Sequence, residues 1–330
     1  MSELRRPSPA DAGAALRADP MVAALAARCP FPPAGSPLTC AVSGGADSLA
    51  LLVLAAASGC RVTAVHVDHG LRAGSTAEAG VVAEVARRFG AGFRSEAVTV
   101  TEGPNLEARA RSARRAVLGE DAATGHTADD QAETVLANLL RGAGVSGLAA
   151  MRAGGRHPLL GLRRADTVAL CRHLGLDPVH DPSNDDPRFV RNRIRHELLP
   201  LCSQIAGRDV VPVLARQAEL LAGDAQLLDA VASLIDPREA DALAAAPVAA
   251  GRRSVRAWLT GEDGYPPPRD AVERVLDVAR KQRRATEIPG GRRVVRSNGR
   301  LSTQPIVADT GSDTRSADAG SPVQSRRGHH

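Results

Sequence analysis

The sequence contains very few aromatic residues and a single lysine. Phe, Trp and Tyr together make up 2% of the 330 residues, so a core must be built from Ala, Val and Leu, and its packing tolerances should be narrow. Lys281 is the only lysine, and arginine supplies the rest of the 42 basic side chains. The formal net charge of +5 and the pI of about 9.4 favour an anionic partner. Alone they indicate nucleic acid only weakly.

Cysteine pairs and long apolar runs are also missing. The five cysteines are Cys29, Cys40, Cys60, Cys171 and Cys202. None belongs to a C-x-x-C pair, which argues against zinc and iron–sulfur sites and favours reduced thiols in a cytosolic protein. No apolar run has the length of a membrane span, and residues 1–20 lack the apolar stretch of a signal peptide. We therefore predict a cytoplasmic protein that has no membrane partner.

Strand and helix patterns alternate in the first part of the chain. The predicted strands are Leu38–Val42, Arg61–Asp68, Gly92–Val100 and Ala122–Thr124, and the predicted helices are Ser48–Ala57, Thr76–Phe89, Asn105–Leu118 and Asp129–Arg141. Repeats of this spacing predict a parallel sheet with helices on both faces. The fold class is therefore α/β, with a doubly wound parallel sheet followed by a smaller helical domain.

The pattern changes after the glycine-rich loop at 142–147. Helices follow, and short strands near 287–303 are separated by turns at Gly290-Gly291 and Asn298-Gly299. We predict four segments: an N-terminal extension over 1–37, the α/β domain over 38–200, a mainly helical domain over 201–305 and a disordered tail over 306–330.

A glycine-containing loop follows the first predicted strand. It consists of Ser43, Gly44, Gly45, Ala46, Asp47 and Ser48. Two glycines let the backbone bend sharply and approach an anion, and the next helix directs its N–H groups and positive dipole end to the same place. A turn with a helix N-cap is the simpler alternative. The position of the loop at the carboxyl end of a strand favours phosphate binding. The loop is not a Walker loop, because no Gly-Lys-Ser/Thr is present.

This loop resembles the PP-loop of the ATP pyrophosphatases, and four further segments narrow the resemblance. They are HVDHGLR at 66–72, NLEARARSARR at 105–115, TGHTADDQAETVLANLLRG at 124–142 and DPSNDDPRFVRNRIRHELLP at 181–200. In this order, they resemble tRNA(Ile)-lysidine synthetase over residues 38–200. The sequence departs from the family pattern at Arg115 and Phe189, where tyrosine is usual, so neither residue receives a polar role.

The resemblance implies a two-step reaction on tRNA(Ile) with a CAU anticodon. The C2 oxygen of the wobble cytidine attacks the α-phosphate of ATP, and the amine of L-lysine then displaces AMP at C2. ATP would bring Mg²⁺, and no protein ligand for the metal is assigned. The segments 38–200 and 201–305 would be the catalytic and tRNA-binding domains. A homodimer is left open.

Individual roles follow from the same segments. The expected catalytic residues are Asp47, Asp130, Glu133 and Arg111. The expected ATP-binding residues are the loop Ser43–Ser48, His66 and His126. The expected lysine-binding residues are Asp129, Asp130 and Glu133. The expected tRNA-binding residues are Arg191, Asn192 and Arg195, with the arginine pairs 252–253, 283–284 and 292–293 as a further RNA surface.

Several of these assignments have a structural alternative. Asp47 could simply be an acid at a helix start, and Thr127 could cap a helix in which Asp129 and Asp130 serve the dipole. His126 could be a hydrogen-bonded histidine at a strand end, and the arginines near 191–195 could form a solvated face. Glu133 lies past the first helical turn, so the dipole explains it less well.

Three other functions compete with the main one. A PP-loop tRNA thiolase would depend on cysteines, and none here has the usual pairing. A non-catalytic RNA-binding protein would not need an intact loop and a carboxylate trio. A metabolic PP-loop synthetase would not need a second basic domain.

Overall fold

The computed structural model describes residue 13 and residues 16–68, 75–98, 116–181, 185–263 and 266–306. The predicted catalytic residue Arg111 lies outside these ranges. So do most of the predicted helix 105–118, residues 69–72 of the HVDHGLR segment and residues 307–330 of the tail. Contacts group the chain into two compact units, Met1–Gln226 and Leu227–His330.

The first unit contains a four-stranded parallel sheet. Its strands are β1 (Pro37–Ala41), β2 (Arg61–Asp68), β3 (Gly92–Ala97) and β4 (Ala123–Thr124). Their order in the sheet is β3-β2-β1-β4, and Ala41 of β1 lies between Val65 of β2 and Thr124 of β4. The next strand in sequence, β2, therefore lies on one side of β1, and β4, which comes later in the chain, lies on its other side. Such a switch point is where open α/β sheets bind ligands, at the carboxyl ends of the strands.

Helices flank this sheet. They are α1 (Pro20–Ala26), α2 (Ala46–Ala57), α3 (Ser75–Arg88), α4 (Ala128–Leu140), α5 (Val145–Leu148) and α6 (Arg164–His173), with a 3₁₀ turn at Pro158–Gly161. Every residue of α2 from Ser48 to Ala57 is buried, as expected for a helix that is apolar on all sides. Leu16, Val22 and Leu25 join the same core, so the segment before β1 packs as part of the first unit.

A second group of helices packs against α4. They are α7 (Val190–Arg193), a π-helical turn (Ile194–Leu198), α8 (Leu199–Ala206) and α9 (Val211–Ser233). Leu136 of α4 packs with Ile194, Leu199 and Val211 in one apolar cluster. Because of this packing, the boundary between the compact units falls inside α9 rather than after residue 200, where the sequence placed a domain limit.

The second unit combines helices with a small antiparallel sheet. Its helices are α10 (Ala240–Ala245), α11 (Val248–Asp263) and α12 (Arg269–Ala279), and its strands are β5 (Ala285–Ile288), β6 (Arg292–Ser297) and β7 (Arg300–Pro305). Asn298 and Gly299 both have positive φ angles, as the two-residue hairpin turn between Ser297 and Arg300 requires. Gly290 and Gly291 also have positive φ angles and lie in the three-residue connection between Ile288 and Arg292. The predicted turns are confirmed. Val255, Leu276 and Val294 belong to the core of this unit.

The α/β fold class is confirmed, and the predicted elements that fall on described residues follow in the expected order, with shifts of a few residues at their ends. The predicted helix 105–118 is not tested, because most of it lies outside those residues. One prediction was wrong: Val145–Leu148 forms a helical turn inside the segment that the glycines marked as loop. Among the described residues, no single helix combines the length and apolar content of a membrane span. The bent pair Val190–Ala206 and Val211–Ser233 meets that test only when both helices are taken together.

Candidate active site

The loop Ser43–Ser48 lies at the switch point between β1 and β4. Gly44 has a φ of +92°, which an L side chain rarely adopts. The Ser48 hydroxyl donates to the Gly45 carbonyl at 2.8 Å and accepts from the Ser43 N–H at 3.2 Å. These hydrogen bonds within the loop stabilise its conformation. Gly45 is the N-cap residue of α2, and no described side chain caps this helix.

A cavity of about 920 Å³ opens beside this loop, a size typical of sites for drug-sized ligands. Its walls are formed by the loop Ser43–Ser48, the end of β2 and the start of α4. Arg164, Asn192 and Arg195, which come later in the chain, also line it. Gly125, which follows β4, lies so close to the loop that a larger residue would not fit there. A Cβ on Gly125 would lie 2.6 Å from the Asp47 carbonyl oxygen and 3.0 Å from the Ser48 nitrogen.

Asp47 is bound by two residues of α6. The Arg164 Nε donates to its Oδ2 at 3.1 Å, and the Thr167 hydroxyl donates to its Oδ1. Burial raises the pKa of the Asp47 carboxyl and outweighs the opposite effects of Arg164 and Thr167. Asp47 is therefore more than an acid that serves a helix dipole, since its side chain joins the loop to α6.

Asp130 both caps α4 and faces the cavity. Its Oδ2 accepts from the Thr127 N–H at 2.8 Å, and its Oδ1 accepts from Arg164 at 2.8 Å and Arg191 at 2.9 Å. Burial alone would raise the pKa of this carboxyl, but Arg164 and Arg191 hold it below its ordinary value. Asp130 is therefore a carboxylate near neutral pH. The sequence offered Thr127 as the cap and Asp130 as a dipole acid, and the structure adds a hydrogen bond from the Thr127 N–H to Asp130.

Glu133 is completely buried and surrounded by arginines. Its carboxylate accepts from Arg195 Nε at 2.6 Å, Arg191 Nε at 2.7 Å and Arg164 Nη1 at 3.3 Å, and its side chain is 0% exposed. It is not among the described residues that line the cavity. Glu133 thus lies behind Asp130 and orients three arginines.

Asp129 points to a different neighbour. Two N–H groups of the Arg163 guanidinium donate to its carboxylate at 3.0 Å each, and the Arg164 backbone N–H donates at 2.8 Å. Burial would raise the pKa of Asp129, but the bond from Arg163 and its charge hold it below the ordinary value. The structure brings Asp130 and Glu133 together through shared arginines and places Asp129 outside the cavity wall.

The two predicted histidines both line the cavity. His66 is buried, and its Nδ1 donates to the Val42 carbonyl at 3.0 Å. His126 shares a hydrogen bond of 2.7 Å with the Thr124 hydroxyl, which also bonds His157 at 2.8 Å. These contacts fix each ring at the end of its strand, so both are oriented toward the site that the loop forms.

The three residues predicted to bind tRNA also lie at this cavity. Arg191 and Arg195 are occupied with Asp130 and Glu133, as described above, and Arg195 lies in the π-helical turn, a feature common at functional sites. The Asn192 amide donates to the Asp186 carbonyl at 2.9 Å. Arg191 is the most exposed of the arginines that contact Glu133, at 45%. RNA binding by this group remains a prediction.

Sequence reasoning missed Arg163, Arg164 and Thr167, which hold Asp129 and Asp47. One signal was available. Arg163 and Arg164 lie at the N-terminal end of α6, where positive charge opposes the helix dipole. Such a placement indicates that acidic partners lie nearby.

The cysteines are poorly suited to sulfur chemistry. Cys40, Cys60 and Cys171 are buried. Burial raises the pKa of the Cys40 thiol to about 12 and that of Cys171 to about 11, so the reactive thiolate is scarce near neutral pH. Within the described ranges no cluster of His, Cys, Asp and Glu could hold a metal ion. The raised pKa values of these thiols disfavour the thiolase alternative.

Comparison with known proteins gives three findings. The PP-loop domain family matches residues 23–202. A tRNA(Ile)-lysidine synthase from Nocardia farcinica is 44% identical over 264 residues, which are 75% of this chain and 83% of the relative. The enzyme of the same name from Rhodococcus erythropolis is 47% identical over 236 residues, which are 66% of this chain and 72% of the relative.

A solved structure, a U34-tRNA thiolase from Methanococcus maripaludis with its 4Fe–4S cluster, is 18% identical with a TM-score of 0.47. The match covers 57% of this chain and 73% of that one, and so distant a likeness carries no functional argument. The family match spans more than half of the chain, and the named relatives are matched over more than two thirds of their length. The chain therefore belongs to the tRNA(Ile)-lysidine synthase family of PP-loop proteins.

Proposed function

We propose that this protein uses ATP to join L-lysine to C2 of the wobble cytidine of tRNA(Ile) with a CAU anticodon. One observation carries the proposal. A self-bonded phosphate loop and the carboxylate of Asp130 line the same cavity at the switch point of the sheet, in a chain of the tRNA(Ile)-lysidine synthase family. We place the reaction in the cytoplasm, and a homodimer remains an open prediction.

The first step transfers the adenylyl group of ATP to the base. The cytosine O2 attacks the α-phosphorus, the bond from that phosphorus to the bridging oxygen breaks, and pyrophosphate leaves. The N–H groups of the loop and of α2 suit the departing phosphates, because a helix N-terminus favours negative charge. Asp47 keeps the loop in place through α6. His66 and His126 lie on the cavity wall, where they would orient the nucleotide.

The second step replaces AMP by lysine. The ε-nitrogen attacks C2, the C2–O bond to AMP breaks, and the amine loses a proton. Asp130 is the carboxylate of the predicted trio that lines the cavity, so it is the best candidate to attract the ammonium. Asp130 already binds Arg164 and Arg191, so the incoming amine would share this carboxylate with them. Glu133 orients those arginines, and Asp129 supports α6.

Magnesium would arrive with ATP. The cavity is lined by acidic side chains and by groups that can bind phosphate, which suits a magnesium–ATP complex. However, the carboxylates of Asp47 and Asp130 are already bound to Arg164. We therefore assign the ion no protein ligand. When bound, Mg²⁺ would neutralise charge on the phosphates, which is its usual contribution to phosphoryl-type transfer.

Asp130→Asn should separate the two steps. The amide keeps the shape of the side chain but removes the charge that attracts the ammonium, so we expect adenylated tRNA to form and accumulate while lysine transfer slows. Quenched reactions with labelled ATP, resolved for adenylated tRNA, measure this. Equal loss of both half-reactions would instead place Asp130 in ATP or magnesium binding.

Pyrophosphate exchange tests the catalytic assignment itself. The enzyme should exchange labelled pyrophosphate into ATP only when tRNA is present, because the tRNA base is the acceptor of the adenylyl group. A non-catalytic RNA-binding protein would bind tRNA and exchange nothing, so an absence of exchange under conditions of full tRNA binding would contradict the proposal.

The arginine pairs of the second unit differ in availability. Arg252 and Arg253 are half-buried beside Glu273 and Asp229. Arg283 and Arg284 are both exposed, and Arg283 forms an ion pair with Asp277 at 3.2 Å. We therefore propose the 283–284 pair as the part of this unit best placed to contact tRNA phosphates.

Reversing the charges of Arg283 and Arg284 to Glu should weaken tRNA binding and flatten its salt dependence. Each lost phosphate contact lowers the slope of log K against log salt by about one unit, so we expect a change of about two. Filter binding at several salt concentrations measures the slope. The matched control reverses Arg87 and Arg88 of the first unit. A control that flattens the slope as much would show that net charge alone is responsible.

A further inference from the structure

Arg164 contacts more of the predicted site residues than any other described side chain. Its Nε, Nη2 and Nη1 donate to Asp47, Asp130 and Glu133 at 3.1, 2.8 and 3.3 Å, and its backbone N–H donates to Asp129 at 2.8 Å. These carboxylates belong to two helices, α2 and α4. A single guanidinium therefore connects the helix that begins at the phosphate loop with the helix that carries the acidic cluster.

The cluster does not need Arg164 for charge balance alone. Arg191 and Arg195 already neutralise Asp130 and Glu133 from α7 and the π-helical turn. Within the described ranges, however, Arg164 is the one arginine that contacts Asp47. Its guanidinium is thus the direct ionic link between the loop end and the carboxylate end of the cavity.

We propose that Arg164 is a positioning residue that couples the two half-reactions, by holding the phosphate loop and Asp130 in one fixed relation. This inference rests on the proposed function. The planar fork of arginine binds several carboxylates in fixed directions, which the point charge of a lysine cannot reproduce. A displacement of about 1 Å between reacting groups can slow a reaction about 100-fold, so a rigid link between the two ends has a direct catalytic value.

Arg164→Gln tests the coupling. We expect tRNA adenylation to slow about 100-fold and the KM for lysine in the transfer step to rise about tenfold or more, as expected when a charged hydrogen bond is lost. Transfer is measured from pre-formed adenylated tRNA, so that the two effects are separated. A variant that impairs only one half-reaction would overturn the coupling.

Two conservative variants separate geometry from charge. Arg164→Lys keeps the charge, and we expect it to retain most of both defects. Full recovery by lysine would overturn the positioning role. Thr167→Val removes only the hydroxyl that binds Asp47, so adenylation should slow while the KM for lysine stays the same. These variants also carry the test if Arg164→Gln unfolds, which thermal melting detects.

The matched control is Arg28→Gln. Arg28 is an exposed arginine that binds Asp166 at 3.2 Å and donates to the Gly161 carbonyl. Asp166 lies in α6, the helix that also contains Arg164. This variant should keep both half-reactions within about twofold of wild type. If wild-type protein adenylates tRNA but never transfers lysine, the proposed function fails and the coupling fails with it. If the wild type completes both steps and Arg164→Gln does as well, only the coupling fails.

Discussion

We expect replacement of Asp47 by Ala to slow adenylation of tRNA by about two to three orders of magnitude, the usual cost of removing one preorganised electrostatic group. Asp47 is held by Arg164 and Thr167, so its loss frees the start of α2 from α6. The loop then loses its fixed position relative to the α-phosphate. Retention of tRNA on a filter should stay nearly unchanged, because the hydrogen bonds of Asp47 go to Arg164 and Thr167 and not to the residues predicted to bind RNA.

The control for Asp47 is another acid at a helix start. Asp270 lies in the first turn of α12 and is exposed, so Asp270→Ala removes the same favourable dipole interaction and nothing from the cavity. We expect its adenylation rate to match that of the wild type. A rate for Asp47→Ala within a few-fold of wild type would show that Asp47 serves only the dipole of α2.

We expect Glu133→Gln to lower the free energy of unfolding by about 3–5 kcal/mol, the typical loss when one member of a buried ion pair is removed. Glu133 is 0% exposed and accepts hydrogen bonds from Arg164, Arg191 and Arg195. The amide leaves three positive groups with too little negative charge around them. Urea unfolding monitored by circular dichroism measures the loss.

Glu197→Gln is the matched control for this change. Glu197 also binds an arginine, Arg193, at 2.9 Å, but both side chains are more than half exposed. Exposed pairs of this spacing contribute about 0.3–0.5 kcal/mol, so the control should be almost as stable as the wild type. Equal stability of the two variants would contradict the view that Glu133 organises the arginines.

The sequence predicted the parts of the fold that depend on local signals. Gly44 and Gly45 mark a sharp bend after an apolar strand, and the structure places that bend at the switch point of the sheet. The Asn298-Gly299 turn was equally clear, since both residues adopt positive φ. These features depend on backbone chemistry within a few residues, which a single sequence displays.

The site itself was only partly predictable. Arg164 and Asp47 are 117 residues apart in sequence, and only the packing of α6 beside α2 brings them together. Asp129 and Asp130 look equivalent in the sequence, yet neighbouring helical residues point about 100° apart. One therefore binds Arg163 outside the cavity wall, and the other lines the cavity. Spacing predicted which acids cluster, but not which arginines bind them.

Transfer of labelled L-lysine tests the central claim most directly. The protein is incubated with ATP, labelled lysine and tRNA(Ile) bearing a CAU anticodon, and the tRNA is then digested and examined. We predict that one label per tRNA appears on the wobble cytidine, with one AMP and one pyrophosphate released per label. Protein that binds this tRNA and exchanges pyrophosphate but leaves the tRNA unlabelled would contradict the account.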